Sequence, residues 1–210
     1  VKIFMGSSTG NLLVEKREAL EIIFSKVKTL IATHCEDDGI IKRNLEALQA
    51  TGKSLTAADH PSIRNAEGCY ASSSMAVELA KKHDARLHIL HISTAKELEL
   101  FTNAIPMKEK RITAEACIHH LWFTEEDYAT KGNYIKWNPA VKSFNDRMNI
   151  REAVNDGRID VIATDHAPHT IEEKSGDYLH AHAGLPLVQH SLQLMLHYHR
   201  EGKITLEKIV

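Results

Sequence analysis

The chain alternates between short apolar runs and longer amphipathic segments. Runs at 1–5, 29–34, 86–91, 112–116 and 160–164 are rich in Val, Ile, Leu, Ala and Thr and are bounded by polar residues. That is the pattern of strands buried on both faces. Apolar positions recur at helical spacing over 15–27, 38–52, 61–82, 94–103, 124–130, 145–156 and 186–200. Strands and helices in alternation predict a parallel α/β sheet with covering helices. Local signals agree. Pro61 suits a first helical turn after Asp59-His60, Thr94 and Glu97 are spaced as a capping box, and Gly157 falls where 145–156 needs a left-handed cap. No internal repeat, low-complexity tract or linker interrupts the pattern.

The ends of the strands carry the chemistry. Thr29–His34 and Leu87–His91 are apolar runs closing on a histidine. Val161–Ala163 leads through Thr164 into Asp165-His166-Ala167-Pro168-His169. The first run carries a lone lysine, Lys2. A parallel barrel gathers the carboxyl ends of its strands into one polar site. Alternation of side chains then predicts that His91 points inward with Leu87 and Ile89 while His88 points outward. By the same rule Asp165 follows Ala163 and Val161, and His34 follows Ala32 and Leu30. The expected architecture is a TIM (β/α)8 barrel, of which this chain covers roughly the fourth to eighth strands. A complete barrel takes roughly 250 residues, and this chain has 210. It starts inside a strand pattern and stops inside a periodic one, so 1–210 is expected to be a portion of a single barrel domain, truncated at both ends.

Composition narrows the function. With 26 basic and 28 acidic residues the net charge is −2, so no basic surface points to nucleic acid. No apolar run is long enough to span a bilayer. Cys35, Cys69 and Cys117 are far apart and form no CxxC pair, which reads as reduced thiols in a cytoplasmic protein. Fourteen histidines stand out, and histidine is the commonest metal ligand.

Two neutral imidazoles and a carboxylate suit Zn²⁺ or a similar borderline metal. Lys2 admits two readings. It pairs with a carboxylate, or its neutral amine adds CO₂ to give a carbamate that bridges two metals. Burial and neighbouring cations favour the neutral amine. A single strand-end histidine is more often a hydrogen-bonded core residue than a ligand, and Asp165 by itself serves equally well as a helix N-cap. The joint pattern argues for a site. His88, His119, His120, His166, His190, His197 and His199 read as structural, Cys35 and both tryptophans as packing, and Phe4 and Met5 as core or site wall.

Six stretches carry a more specific signal. They are Lys2-Ile-Phe-Met-Gly-Ser-Ser-Thr-Gly, Thr33-His34-Cys-Glu-Asp, Leu87-His-Ile-Leu-His91-Ile-Ser-Thr-Ala-Lys-Glu, Thr113-Ala-Glu-Ala-Cys-Ile-His-His-Leu, Trp137-Asn138-Pro-Ala-Val-Lys and Ala163-Thr-Asp165-His-Ala-Pro-His169. In this order the chain resembles the dihydroorotases of the amidohydrolase superfamily.

The resemblance implies a zinc-dependent enzyme that interconverts (S)-dihydroorotate and N-carbamoyl-L-aspartate in pyrimidine biosynthesis. Lys2 matches the carboxylated lysine bridging two zinc ions. His34 and His91 match ligands of the more exposed metal, and Asp165 matches the acid that binds the buried metal and serves as general base. Asn138 and His169 match substrate-contacting positions. Backbone groups before a Gly-Leu pair, aligned on Gly184-Leu185, fall at His180 and Ala181, although the loop 175–183 departs from the family pattern. The first-strand His-x-His pair, the substrate arginine and a second asparagine have no counterpart in this chain. A homodimer or association with aspartate transcarbamoylase is the implied assembly. Two other readings stay open: a hydantoinase- or allantoinase-like cyclic amidohydrolase, and a catalytically inactive dihydroorotase-like scaffold.

Overall fold

The computed structural model describes residues 1–6 and 12–210. Of the Lys2–Gly10 stretch singled out above, Ser7–Gly10 lies outside the described residues. Five strands, β1 (Lys2–Phe4), β2 (Ile31–His34), β3 (Leu87–Ile89), β4 (Ile112–Cys117) and β5 (Val161–Ala163), form one sheet in sequence order. Every neighbouring pair is parallel, and helical segments lie between successive strands, as the alternating pattern predicts. The five predicted strands are the five observed, each shorter by a residue or more at an end except β4.

The helices follow their caps. α1 (Arg17–Lys26) and α2 (Asp38–Gln49) lie within the predicted spans, and the Asp37 carboxylate accepts the Ile40 N–H at 2.8 Å to start α2. The predicted helix 61–82 is two helices, α3 (His60–Ile63) and α4 (Ala66–His83). The chain leaves helical geometry at Arg64, and Asn65 recaps it by accepting the Gly68 N–H at 3.0 Å. The 94–103 helix is a single 3-10 turn over Lys96–Leu100. Glu97 does pair with Thr94, but its carboxylate is drawn inward to Ser73 of α4 at 2.6 Å.

α5 (Ile118–Trp122) follows β4 directly without a side-chain cap, so no sequence signal marked it. A 3-10 turn leads into α6 (Tyr128–Lys131). α7 (Phe144–Asp156) has a Ser143–Asp146 capping box and ends at Gly157, whose φ is +85° as a left-handed cap requires. α8 (Ile171–Lys174), α9 (Ser191–Arg200) and α10 (Leu206–Ile209) complete the chain.

The two faces of the sheet differ. Ile3, Thr33, Ile89 and Ala114 lie in one cross-strand row, all buried. Ile3, Leu87 and Ile89 share a core with Leu20 and Phe24 of α1 and Leu79 of α4, so this is the helix-covered face. Lys2, Ala32, His88 and Thr113 form the adjacent row on the opposite face, where burial is incomplete. The parity expected for β3 is therefore reversed: Leu87 and Ile89 face the helices, and His88 faces the inner side.

Candidate active site

His34 and His91 meet despite that reversal. His34 is the last residue of β2 and shares its face with Ala32, as alternation requires. β3 ends at Ile89, and His91 adopts φ +37°, in the left-handed region. That local departure from strand geometry breaks the parity and turns the imidazole to the site. Asp165, two residues beyond β5, also has a positive φ, +46°, but it keeps the expected parity, on the inner face with Val161 and Ala163. Non-glycine residues in this region are uncommon and cluster at functional sites.

His34 Nδ1 lies 2.9 Å from His91 Nε2, with the rings edge to face. The far nitrogen of His34 is fixed by a carboxylate, Glu36 Oε2 at 2.9 Å, which also accepts from Arg64 Nη1 at 2.6 Å. Burial raises the Glu36 pKa, but Arg64 and His34 outweigh it and hold the carboxyl well below its usual range. An ionised Glu36 places the proton of His34 on Nε2 and leaves Nδ1 as the lone-pair nitrogen facing the site. Burial, then His34 and His120, drive His91 well below its usual pKa, so it is neutral at pH 7. Behind His91, Glu115 accepts its backbone N–H at 3.3 Å and pairs with His88 at 3.0 Å.

A cavity of about 410 Å³ opens over these residues. Lys2, Phe4, His34, His91, Asn138 and Asp165 line it, together with His169, His182, Ala183 and Gly184. Burial raises the Asp165 pKa against the pull of Lys2 and His34. The Lys2 ammonium lies 4.5 Å from the Phe4 ring centre. Trp137 is buried and stacked on His119, with ring centres 4.0 Å apart. Among the described residues, His91 Nδ1, Trp137 Nε1 and Asn138 Oδ1 are buried without a hydrogen-bond partner. Buried polar atoms are ordinarily paired, so orphans on a cavity wall mark where a ligand would bond.

Six of the eight site residues expected from the sequence thus share one cavity: Lys2, His34, His91, Asn138, Asp165 and His169. His180 and Ala181 do not reach it. His180 is exposed and pairs with Asp177 at 2.8 Å, while Ala181 is buried with its carbonyl held by the Lys136 ammonium at 2.6 Å. The loop meets the cavity two residues later, at His182 and Ala183, because Gly184 packs against the segment after β5. A Cβ on Gly184 would stand 2.6 Å from the Ala167 carbonyl oxygen, and its φ is +132°.

Several residues that brace the site were not singled out by the sequence: Glu36, Arg64, Lys136, Lys174 and His182. Glu36 was within reach, since it follows His34 by two positions in one of the recognised stretches. His60 is another. It bridges the Trp137 carbonyl at 2.5 Å and the Tyr178 hydroxyl at 2.7 Å, and burial pushes its pKa down to about 3.

Among the described residues no three His, Cys, Asp or Glu side chains lie close enough to hold a metal ion as they stand. The donor chemistry nonetheless fits one. Two imidazoles turn adjacent nitrogens to the cavity, one is backed by a carboxylate as ligating histidines are, and a carboxylate and a lysine share the same wall.

No protein-family model matches the chain. It is similar to the dihydroorotase of Methanosphaera stadtmanae, 34% identical over 100% of this chain and 47% of the relative. It is also similar to the dihydroorotase of Pyrococcus furiosus, 32% identical over 100% of this chain and 43% of the relative. The chain spans about half the length of the curated relatives it matches. Among solved structures, the L-hydantoinase of Arthrobacter aurescens superposes with a TM-score of 0.91 at 24% identity, over 99% of this chain and 48% of that one. The dihydroorotase of Saccharomyces cerevisiae in complex with 5-fluoroorotic acid gives a TM-score of 0.74 at 16% identity, over 99% and 56%. These likenesses identify the fold as part of a TIM-barrel amidohydrolase.

Proposed function

This chain belongs to the dihydroorotase family of amidohydrolases, and on that premise we propose that it carries the catalytic half of an enzyme interconverting (S)-dihydroorotate and N-carbamoyl-L-aspartate. The observation that carries the reading is the convergence of Lys2, His34, His91, Asn138, Asp165 and His169 on one cavity. The reaction belongs to pyrimidine biosynthesis, and the three buried, unpaired cysteines suit a reducing cytoplasm.

Lys2, as a carbamate, with His34, His91 and Asp165 would hold Zn²⁺, two ions per site. Bound there, the metal would supply an activated water at neutral pH and polarise the ring carbonyl. This chain's residues do the rest. Asp165 takes the proton lost by the attacking water and returns it to the ring nitrogen as the amide C–N bond breaks. Asn138 and His169 hold the carboxylate and polar ring edge of the substrate. The Glu36–Arg64 pair fixes the His34 tautomer, so that Nδ1 faces the site throughout.

The test is metal content and dihydroorotate hydrolysis of the full-length protein, wild type against Asp165→Asn. Bound zinc and turnover that collapses in the variant are the expected result. Zinc with turnover of a hydantoin but not of dihydroorotate would replace the substrate assignment. Neither metal nor turnover would leave a scaffold.

A further inference from the structure

The loop 177–184 is held by two buried lysines that catalysis does not use. Lys174, at the end of α8, is 4% exposed. Its ammonium donates to three backbone carbonyls, Lys136 at 3.1 Å, His182 at 2.9 Å and Gly184 at 3.0 Å. An ammonium has three donors, so Lys174 is saturated by main chain.

Lys136 is 8% exposed and donates to the carbonyls of Tyr178 and Ala181, both at 2.6 Å, with the Tyr178 ring centre 4.5 Å away. The two lysines are linked: the Lys136 carbonyl accepts from both the Lys174 ammonium and the Gly184 N–H, the latter at 3.0 Å. Four carbonyls of one loop are thus tied to two cations, and three residues of that loop, His182, Ala183 and Gly184, line the cavity.

We propose that Lys136 and Lys174 are positioning residues, a paired carbonyl clamp that sets the substrate-facing wall formed by His182, Ala183 and Gly184. The substrate part of this proposal rests on the function argued above. Burying an ammonium is costly unless it is hydrogen-bonded, and the charge that acts on Lys174 is a second cation, Lys136, so no ion pair accounts for its placement. Burial pushes both groups down to about 8, which leaves them cationic at pH 7. A cation holding carbonyls makes stronger hydrogen bonds than a neutral donor and restrains the loop before substrate arrives. Preorganisation of this kind acts on binding rather than on chemistry.

The experiment compares full-length wild type, Lys174→Met and Lys174→Arg. Hydrogen exchange is followed across 177–184, and KM and kcat are measured separately for dihydroorotate. In the ligand-free wild type the amides of Ala181, His182 and Gly184 are expected to be protected. Lys174→Met should speed their exchange and raise KM, each by about tenfold, with kcat within about twofold. Lys174→Arg, which keeps the charge, should recover most of the loss.

Free exchange of those amides in the wild type overturns the clamp, and that measurement decides the matter even where Lys174→Met does not fold. A folded Lys174→Met with unchanged exchange and KM overturns it as well, as does a fall in kcat as large as the rise in KM. A wild type without dihydroorotate turnover refutes the functional reading alone, because loop exchange still tests the clamp.

Discussion

Two regions of the cavity are braced in opposite senses. At the strand ends, carboxylates hold N–H groups: Glu36 fixes the His34 ring and Glu115 takes the His91 amide. In the loop 177–184, ammonium groups hold carbonyls: Lys136 and Lys174 tie residues 178, 181, 182 and 184. An acid orients imidazoles and sharpens their tautomers. A cation arranges main chain and leaves side chains free to meet a ligand. The first region should therefore govern metal and turnover, and the second should govern substrate affinity. Damage to each should read out in a different constant.

The largest separation is expected from Asp165→Asn. The substitution keeps the shape of the side chain and removes its ability to carry a proton. Turnover should fall by about 10²–10⁴-fold while the loop's hydrogen exchange stays as in the wild type. A change confined to KM would place Asp165 with the loop and erase the distinction.

Glu36→Gln comes next. The amide keeps an acceptor near His34 Nε2 but loses the charge that fixes the tautomer and balances Arg64. Outer-sphere partners of this kind are worth about 10–100-fold in metal affinity, measured by competition with a chelator. Unchanged affinity would reduce Glu36 to a structural acid.

The same contrast explains what the sequence disclosed. Strand ends are legible because period and chemistry coincide: an apolar run closing on His34, on His91 or near Asp165 announces both the element and its site. All five strands, and the candidate residues Lys2, His34, His91 and Asp165 on or just beyond them, follow from that rule, whereas Asn138 and His169 come from the family resemblance. The rule failed in one detail, the inner face of β3, because alternation assumes regular strand geometry up to His91, whereas the strand stops at Ile89 and His91 takes a positive φ. The loop was illegible for a different reason. Its lysine ammoniums bond main-chain carbonyls, 42 and 45 residues away from Lys136 and 8 and 10 from Lys174, and carbonyls carry no sequence signature. Arg64, Lys136 and Lys174 look like ordinary surface cations in the sequence, and only their burial distinguishes them. The helix break at Arg64 is of the same kind, visible once Asn65 is seen to cap.

Gly184→Ala tests the junction between the regions. A Cβ there would press on the Ala167 carbonyl at 2.6 Å and on His169 Cδ2 at 3.1 Å, from a backbone at φ +132°. The expected cost is about 1–3 kcal/mol of stability by denaturant unfolding, with a raised KM from the shifted His169. Wild-type stability would mean that the loop is free to move off the segment after β5.

The smallest effect is the sharpest probe of loop position. Aligning on Gly184-Leu185 by resemblance places the substrate-facing backbone at His180 and Ala181, whereas the structure brings His182 and Ala183 to the cavity. His180→Ala removes an exposed side chain whose partner, Asp177, is itself exposed. Such substitutions stay within about 0.5 kcal/mol, so stability and KM should both be near wild type. His182→Ala, by contrast, removes a ring 4.8 Å from that of His169 on the cavity wall and should raise KM measurably. The opposite ranking, with His180→Ala the more damaging, would mean that the loop closes on substrate two residues earlier than its clamp holds it.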